Sequence, residues 1–329
     1  MKRVIIDTDC GSGVSGADID DALAIAVALL SPDVDLLGIT TMTANIDVED
    51  VTASVLQLLE IAGRDVPVCV GAARPMIADP TPIRQRVEAR ATSELAQRLW
   101  AKVPRPAPSG KTDPRPAADF LVDTIMAHPG EITLVPIGSF TNVALALQLE
   151  PRLASAVKSV VLMGGSIRAP FGVLAPGVEF NAGYDPEATA ILFRSGAPIT
   201  MVPLDVTTRV YLHVEDLDKL RRVGTPLTEY LALACEPWIR LQMEWRRLPG
   251  CWLHDPLAMC VVLDPTIVQM EPMHVDVELA SPQYRGQTVG WDPAFPYILG
   301  RRAANAQVCM DVDAARFKTL LFGVLGVKK

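Results

Sequence analysis

The sequence predicts an α/β fold, a single domain over residues 1–329 with a mostly parallel central sheet flanked by helices. Three observations predict it. Short apolar, strand-like runs alternate with helix-like segments along most of the chain, as in a parallel sheet whose crossovers are helices. Half of the residues are apolar, which suffices for a large core. Polar or glycine-rich residues recur where the strands end, the edge at which an α/β fold gathers its ligands.

The first strand is Arg3 to Asp7, and a helix opens after Asp18-Ile19-Asp20-Asp21. A second strand covers Asp35–Thr40, a helix Val48–Ala62 and a third strand Val66–Val70. Further on come helix Ala117–Ala127, strand Ile132–Pro136, helix Thr141–Leu149 and strand Ser159–Met163. Helix Pro186–Arg194 and strand Ile199–Pro203 complete the rhythm. Two stretches break it. Residues 71–116 contain the proline-rich run Lys102 to Pro108 and read as a surface loop. Residues 214–247 read as helices of mixed polarity ending in Trp245-Arg246-Arg247. Both are expected near the site as insertions that supply substrate contacts or lids.

The formal net charge is −8 and the basic residues form no run, so neither nucleic acid nor an anionic membrane is an expected partner. No apolar stretch is long enough to span a bilayer, and the chain opens directly on a strand, so no leader and a cytoplasmic location are expected. Six cysteines, Cys10, Cys69, Cys235, Cys251, Cys260 and Cys309, lack C-x-x-C spacing. They are expected as small core residues of a reducing compartment, not as a zinc site or disulfide framework.

Most informative is the acidic cluster. Asp7 and Asp9 close the first strand, and Asp18, Asp20 and Asp21 open the next helix. Bare carboxylates brought so close raise one another's pKa, a conflict that a hard cation with oxygen ligands removes. Capping and the helix dipole offer a structural account of Asp18, Asp20 and Asp21, but not of Asp7 and Asp9. Gly11-Ser12-Gly13-Val14-Ser15-Gly16 matches a dinucleotide-binding G-x-G-x-x-G. Flanking aspartates would repel a pyrophosphate, and the second strand ends without an acid for a ribose, so the glycines are expected to let a lengthened loop fold over a metal. Later strand ends carry Ile137-Gly138-Ser139-Phe140-Thr141-Asn142, Met163-Gly164-Gly165 followed by Glu179-Phe180-Asn181, and His254-Asp255. Singly these are weak; His254 alone fits a core histidine and Asp255 an N-cap.

In order, however, the motifs resemble the inosine–uridine-type nucleoside hydrolase family across most of the chain. Asp7, Asp9, Asp20 and Asp21 match its opening signature, and Asn45 its asparagine after the second strand. The resemblance implies a nucleoside hydrolase-like fold and hydrolysis of the N-glycosidic bond of ribonucleosides to free base and ribose. It implies Ca²⁺ held by Asp9, Asp21, the Thr141 carbonyl and Asp255, with Asp9 also taking the proton of the attacking water. Asp20, Asn45 and Asn181 would bond the ribose hydroxyls and Glu179 would face the 5′ side, with Met163 and Phe180 as further substrate contacts. His254 would either protonate the leaving base or orient Asp255. A homodimer or tetramer is implied as well.

Three departures stand out. Residues Ser12 to Ala17 are inserted between the aspartate pairs, residues 71–101 lack the usual histidine, and Val173 stands where many members carry a sugar-contacting asparagine. From Val173, weak dependence on the 5′-hydroxyl is expected. Two other functions remain open on sequence alone. A haloacid-dehalogenase-type phosphatase also begins with D-x-D but leaves Asp20, Asp21, Asn45 and Glu179 to Asn181 unexplained. A degenerate nucleoside-binding protein would not need every expected calcium ligand.

Overall fold

The computed structural model describes residues 1–169, 172, 174–294 and 302–328. Val173 lies outside the described residues. The chain begins with β1 (Lys2–Thr8), α1 (Asp20–Leu30), β2 (Val34–Thr41), α2 (Val48–Ala62) and β3 (Val68–Val70). Next come α3 (Thr81–Ala91), α4 (Glu94–Trp100), α5 (Ala117–Ala127), β4 (Ile132–Pro136), α6 (Thr141–Leu149) and α7 (Leu153–Ala156). The middle runs through β5 (Ser159–Met163), α8 (Phe180–Tyr184), α9 (Pro186–Arg194), β6 (Ile199–Val202) and α10 (Leu204–Thr207). After these come β7 (Tyr211–Leu212), α11 (Val214–Val223), α12 (Pro226–Trp245), β8 (Cys251–Trp252) and α13 (His254–Leu263). The last elements are β9 (Val268–Val277), β10 (Thr288–Trp291), β11 (Ala306–Val312) and α14 (Ala314–Val324).

Nine strands form the main sheet in the order β10-β9-β11-β6-β5-β4-β1-β2-β3, while β7 and β8 pair separately. From β11 to β3 all neighbours are parallel. Only β9 runs against its neighbours, so the antiparallel edge is an addition that the periodicity did not predict. Residues 81–100 are also helical within the stretch expected as loop.

Strand alternation distributes the core over both faces of the sheet. Val4 and Ile6 join the cluster beneath α1, α12 and α13, whereas Ile5 joins that of α5, α6 and α9. Helix α1, Asp20 to Leu30, is buried from its first residue to Leu29. An all-round apolar helix must be enclosed, and α13 is its equally buried neighbour. All six cysteines are free and buried. Among the described residues no helix is long and apolar enough to cross a membrane.

The chain leaves β1 towards β2 and β3, then returns to the other side of β1 with β4 and continues to β5 and β6. That reversal beside β1 opens a crevice beyond the carboxyl ends of the strands, the usual ligand position. In register, Asp7 lies between Thr40 of β2 and Pro136 of β4.

Candidate active site

Above that reversal lies a small cavity. Its floor is acidic, formed by Asp9 after β1, Asp18, Asp20 and Asp21 at the entrance of α1, and Asp255 in the first turn of α13. The rest of its lining is Ile137, Met163, Glu179, Phe180 and Asn181, together with Asn45, Arg90, Leu204, Trp238, Arg246 and His254. Nearly every residue expected from the motifs therefore converges on one place. Thr141 does not line the cavity: it is buried at the start of α6, where its hydroxyl donates to Asp185 Oδ2 at 2.7 Å.

Three of the floor carboxylates, Asp9, Asp20 and Asp21, accept hydrogen bonds from neighbouring residues. The Asn45 backbone N–H donates to Asp9 Oδ2 at 2.7 Å, and the Asp255 N–H to Asp20 Oδ2 at 3.0 Å. The Thr8 hydroxyl donates to Asp21 Oδ1. The side-by-side N-termini of α1 and α13 add two helix dipoles, which favour negative charge there. Capping does not account for the acids, because the N-cap of α1 is Ile19 and makes no side-chain capping bond. Asp7 supports the floor from outside the cavity. Its Oδ1 accepts from Thr40 Oγ1 at 2.5 Å and Asn142 Nδ2 at 2.8 Å.

The floor is strained electrostatically. Burial first, then Asp21, pushes Asp9 well above the ordinary carboxylate range. Burial, followed by Asp18 and Asp21, does the same to Asp20, and burial with Asp20 to Asp255. Burial carries Asp21 to about 7 against the Thr8 hydrogen bond. Ligand atoms of Asp20, Asp21 and Asp255 lie within 4.8 Å of one another. An oxygen-only donor set of this density fits a hard divalent cation, whose charge offsets the crowding.

The side walls are ordered by their own bonds. Glu179 accepts from the N–H groups of Asn181 at 2.9 Å, Gly165 at 2.8 Å and Ala182 at 3.0 Å, which caps α8. Asn181 Nδ2 donates to the carbonyls of Ile137 at 2.8 Å and Met163 at 3.1 Å, leaving its Oδ1 as the free polar atom. His254 Nδ1 pairs with the Thr207 hydroxyl at 2.7 Å. Burial, and then the nearby Arg246, push its pKa down to about 3, so the ring is neutral at physiological pH.

Leu204 was not expected at the site, and Arg90, Trp238 and Arg246 were not singled out within the two stretches expected near it. Arg90 lies on a helix with no buried residue, so periodicity gave no signal there; the close spacing of Arg84, Arg86 and Arg90 was the available cue. The inserted loop, whose residues are not among those lining the cavity, bonds the flanking helices. Ser12 Oγ bonds the Tyr230 hydroxyl of α12 at 3.2 Å, and Ser15 Oγ donates to the Ala91 carbonyl of α3 at 3.0 Å. At Gly16, with φ +71, a Cβ would stand 2.8 Å from Ala91 Cα, so glycine permits this close approach.

Comparison with known proteins agrees with this geometry. The family model described as inosine-uridine preferring nucleoside hydrolase matches residues 4–319. A probable uridine nucleosidase 2 of Arabidopsis thaliana is 37% identical over 267 residues, covering 81% of this chain and 79% of that one. An inosine-uridine preferring nucleoside hydrolase of Leishmania major is 33% identical over 326 residues, covering 98% and 97%. The solved purine-preferring ribonucleoside hydrolase from Gardnerella vaginalis superposes with a TM-score of 0.83 at 30% identity, covering 98% of each chain. With a matched family model, full-length relatives and an acid-floored cavity at the sheet reversal, the chain belongs to the nucleoside hydrolases of the inosine-uridine preferring family, enzymes that hydrolyse the N-glycosyl bond of ribonucleosides.

Proposed function

We propose that the protein is a calcium-dependent ribonucleoside hydrolase that releases free base and ribose. The observation that carries the metal requirement is the floor of buried carboxylates at Asp9, Asp20, Asp21 and Asp255, each held above its ordinary pKa when no cation is near. Oxygen-only ligands favour Ca²⁺ or Mg²⁺ over zinc, and the family resemblance favours calcium. Asp9, Asp21, Asp255 and the Thr141 carbonyl are the proposed ligands. When bound, such an ion lowers the pKa of water and orients the sugar.

Asp9 is the proposed general base, held by the Asn45 N–H. Asp20 and Asn45 bond ribose hydroxyls, and Asn181 offers Oδ1 to a hydroxyl because its amide hydrogens are engaged. Glu179 faces the 5′ side, while Met163 and Phe180 supply apolar contacts. The surrounding carboxylates stabilise the positive charge that develops on the sugar as the bond breaks. A dimer or tetramer is the proposed assembly, on the family resemblance alone. Base release from a panel of ribonucleosides tests the function, with and without chelator and with Ca²⁺ or Mg²⁺ restored. Activity lost on chelation and recovered best with Ca²⁺ is expected; full turnover in chelator would overturn the metal assignment.

A further inference from the structure

The wall facing the acidic floor holds positive charge that the proposed chemistry leaves unused. Arg90, near the end of α3, and Arg246, just after α12, both line the cavity. Both also border a second, largely apolar cavity of about 430 Å³ beyond it, shared with Phe180 and reached by Arg86, Leu241 and Trp245. Arg84 on the same helix pairs with Asp47, yet neither Arg90 nor Arg246 forms an ion pair among the described residues. Arg90 Nη2 reaches the neutral Asn45 Oδ1 at 3.5 Å, and its buried Nε has no hydrogen-bond partner. Arg90 lies over the Trp238 ring at 5.2 Å, and Arg246 over that of Trp252 at 5.7 Å.

Holding two half-buried cations in one cavity without a direct ion pair, and with Asp18 as the acid that offsets both, is costly. Burial and the neighbouring charge of Arg246 lower Arg90 to about 10 despite Asp18, and burial lowers Arg246 as well. A guanidinium offers a planar fork of donors, no acceptor and no proton to give. It therefore cannot act as an acid, but it can hold an anion, more strongly beside an apolar wall.

We propose that Arg90 and Arg246 receive the leaving base, and that the site is built for an acidic, oxygen-bearing base that departs as an anion. This rests on the nucleoside hydrolase reading. In the step, the water oxygen bonds to C1′ while the C1′–N bond breaks. The electron pair of that bond goes onto the base, which leaves as an anion against the two guanidinium groups. The water's proton goes to Asp9, and the base takes up a proton from solvent after release. The lack of a histidine in residues 71–101 agrees with a departure that needs no acid.

The test, run at a pH low enough to keep xanthosine neutral, compares it with inosine and with 7-methylguanosine, whose base leaves neutral. The wild-type enzyme is expected to prefer them in that order. Arg90→Gln and Arg246→Gln should each lower kcat/KM on xanthosine and inosine by about 10²–10³-fold, as loss of one donor to a developing anion does, while 7-methylguanosine changes little. Arg90→Lys and Arg246→Lys should recover part of the loss, since the charge stays and the fork goes. Equal losses on all three substrates, or a wild-type preference for 7-methylguanosine, would overturn the proposal. A separate titration with free xanthine, read by tryptophan fluorescence, does not depend on turnover. The Gln variants should bind it about 10–100-fold more weakly, as expected for one hydrogen bond to a charged group. Unchanged affinity would overturn the anion site even if no nucleoside were cleaved, whereas weakened affinity without cleavage would fault only the hydrolase reading.

Discussion

On the floor of the cavity, Asp9, Asp20, Asp21 and Asp255 hang from β1 and from the enclosed first turns of α1 and α13. Across from them, Arg90 is carried by α3, none of whose residues is buried, and Arg246 follows the last residue of α12. The floor is tied down by backbone hydrogen bonds from Asn45 and Asp255. Arg246 follows a helix that is itself packed into the core, and the inserted loop bridges that helix at Tyr230 to Ala91 at the end of α3. The groups proposed to meet the ribose and the reacting bond thus stand on the rigid part of the fold, whereas Arg90, proposed to meet the base, stands on a helix that can vary without disturbing the core. The relatives fit this division, since their names include both uridine and purine preferences on one fold.

The largest expected effect comes from breaking the floor. Asp9→Asn removes the proposed base and one proposed ligand while keeping the shape, so turnover should fall by at least ~10²–10⁴-fold and bound metal should be lost with it. The same change removes a carboxyl group whose pKa the metal-free fold raises, which costs that fold stability at neutral pH. In chelator the variant should therefore melt at a higher temperature than the wild type, a trade of activity for stability. Base release, metal content and thermal denaturation of one preparation check all three. Undiminished turnover would remove Asp9 from both roles.

Next in size is His254, which lies between the two regions. A general acid contributes roughly 10²–10⁴-fold, but its ring is neutral and hydrogen-bonded to Thr207. His254→Ala is therefore expected to cost less than that, and to cost the same on a natural nucleoside as on p-nitrophenyl riboside, whose leaving group needs no protonation. A loss confined to the natural nucleoside would restore the acid role and weaken the case for the arginines.

The same division governs what could be read from the sequence. Val48–Ala62, Ala117–Ala127, Thr141–Leu149, Ser159–Met163 and Pro186–Arg194 fold over the residues their patterns predict, because each is an apolar block bounded by breakers. The acids of the floor were legible for the same reason, since they sit where such blocks begin or end. The edge strand β9 was not, because Gln269, Glu271 and Pro272 interrupt its apolar run. Nor was the wall: α3 has no apolar stripe, and the sequence separation of Arg90 from Arg246 is closed only by tertiary packing. For Ser12 to Ala17, glycine content suggested a flexible cover, whereas its hydroxyls anchor it to the flanking helices.

The smallest expected effect sharpens the comparison within the substrate itself. A buried polar group that loses its only partner makes an analogue a poor substrate. Glu179, the residue proposed to face the 5′-hydroxyl, keeps three backbone N–H partners in the protein alone. A missing 5′-hydroxyl therefore leaves it paired. Asp20, in contrast, has one backbone donor and two neighbouring acids that raise its pKa, so it stays frustrated unless the cation and a ribose hydroxyl reach it. A 5′-deoxynucleoside should lose no more than about tenfold in kcat/KM, the scale of one neutral hydrogen bond, and a 2′-deoxynucleoside much more. The matched trio of ribo-, 5′-deoxy- and 2′-deoxynucleoside measures both losses on one base. If removing the 5′-hydroxyl hurts as much as removing the 2′-hydroxyl, Glu179 is a substrate ligand first and a helix cap second.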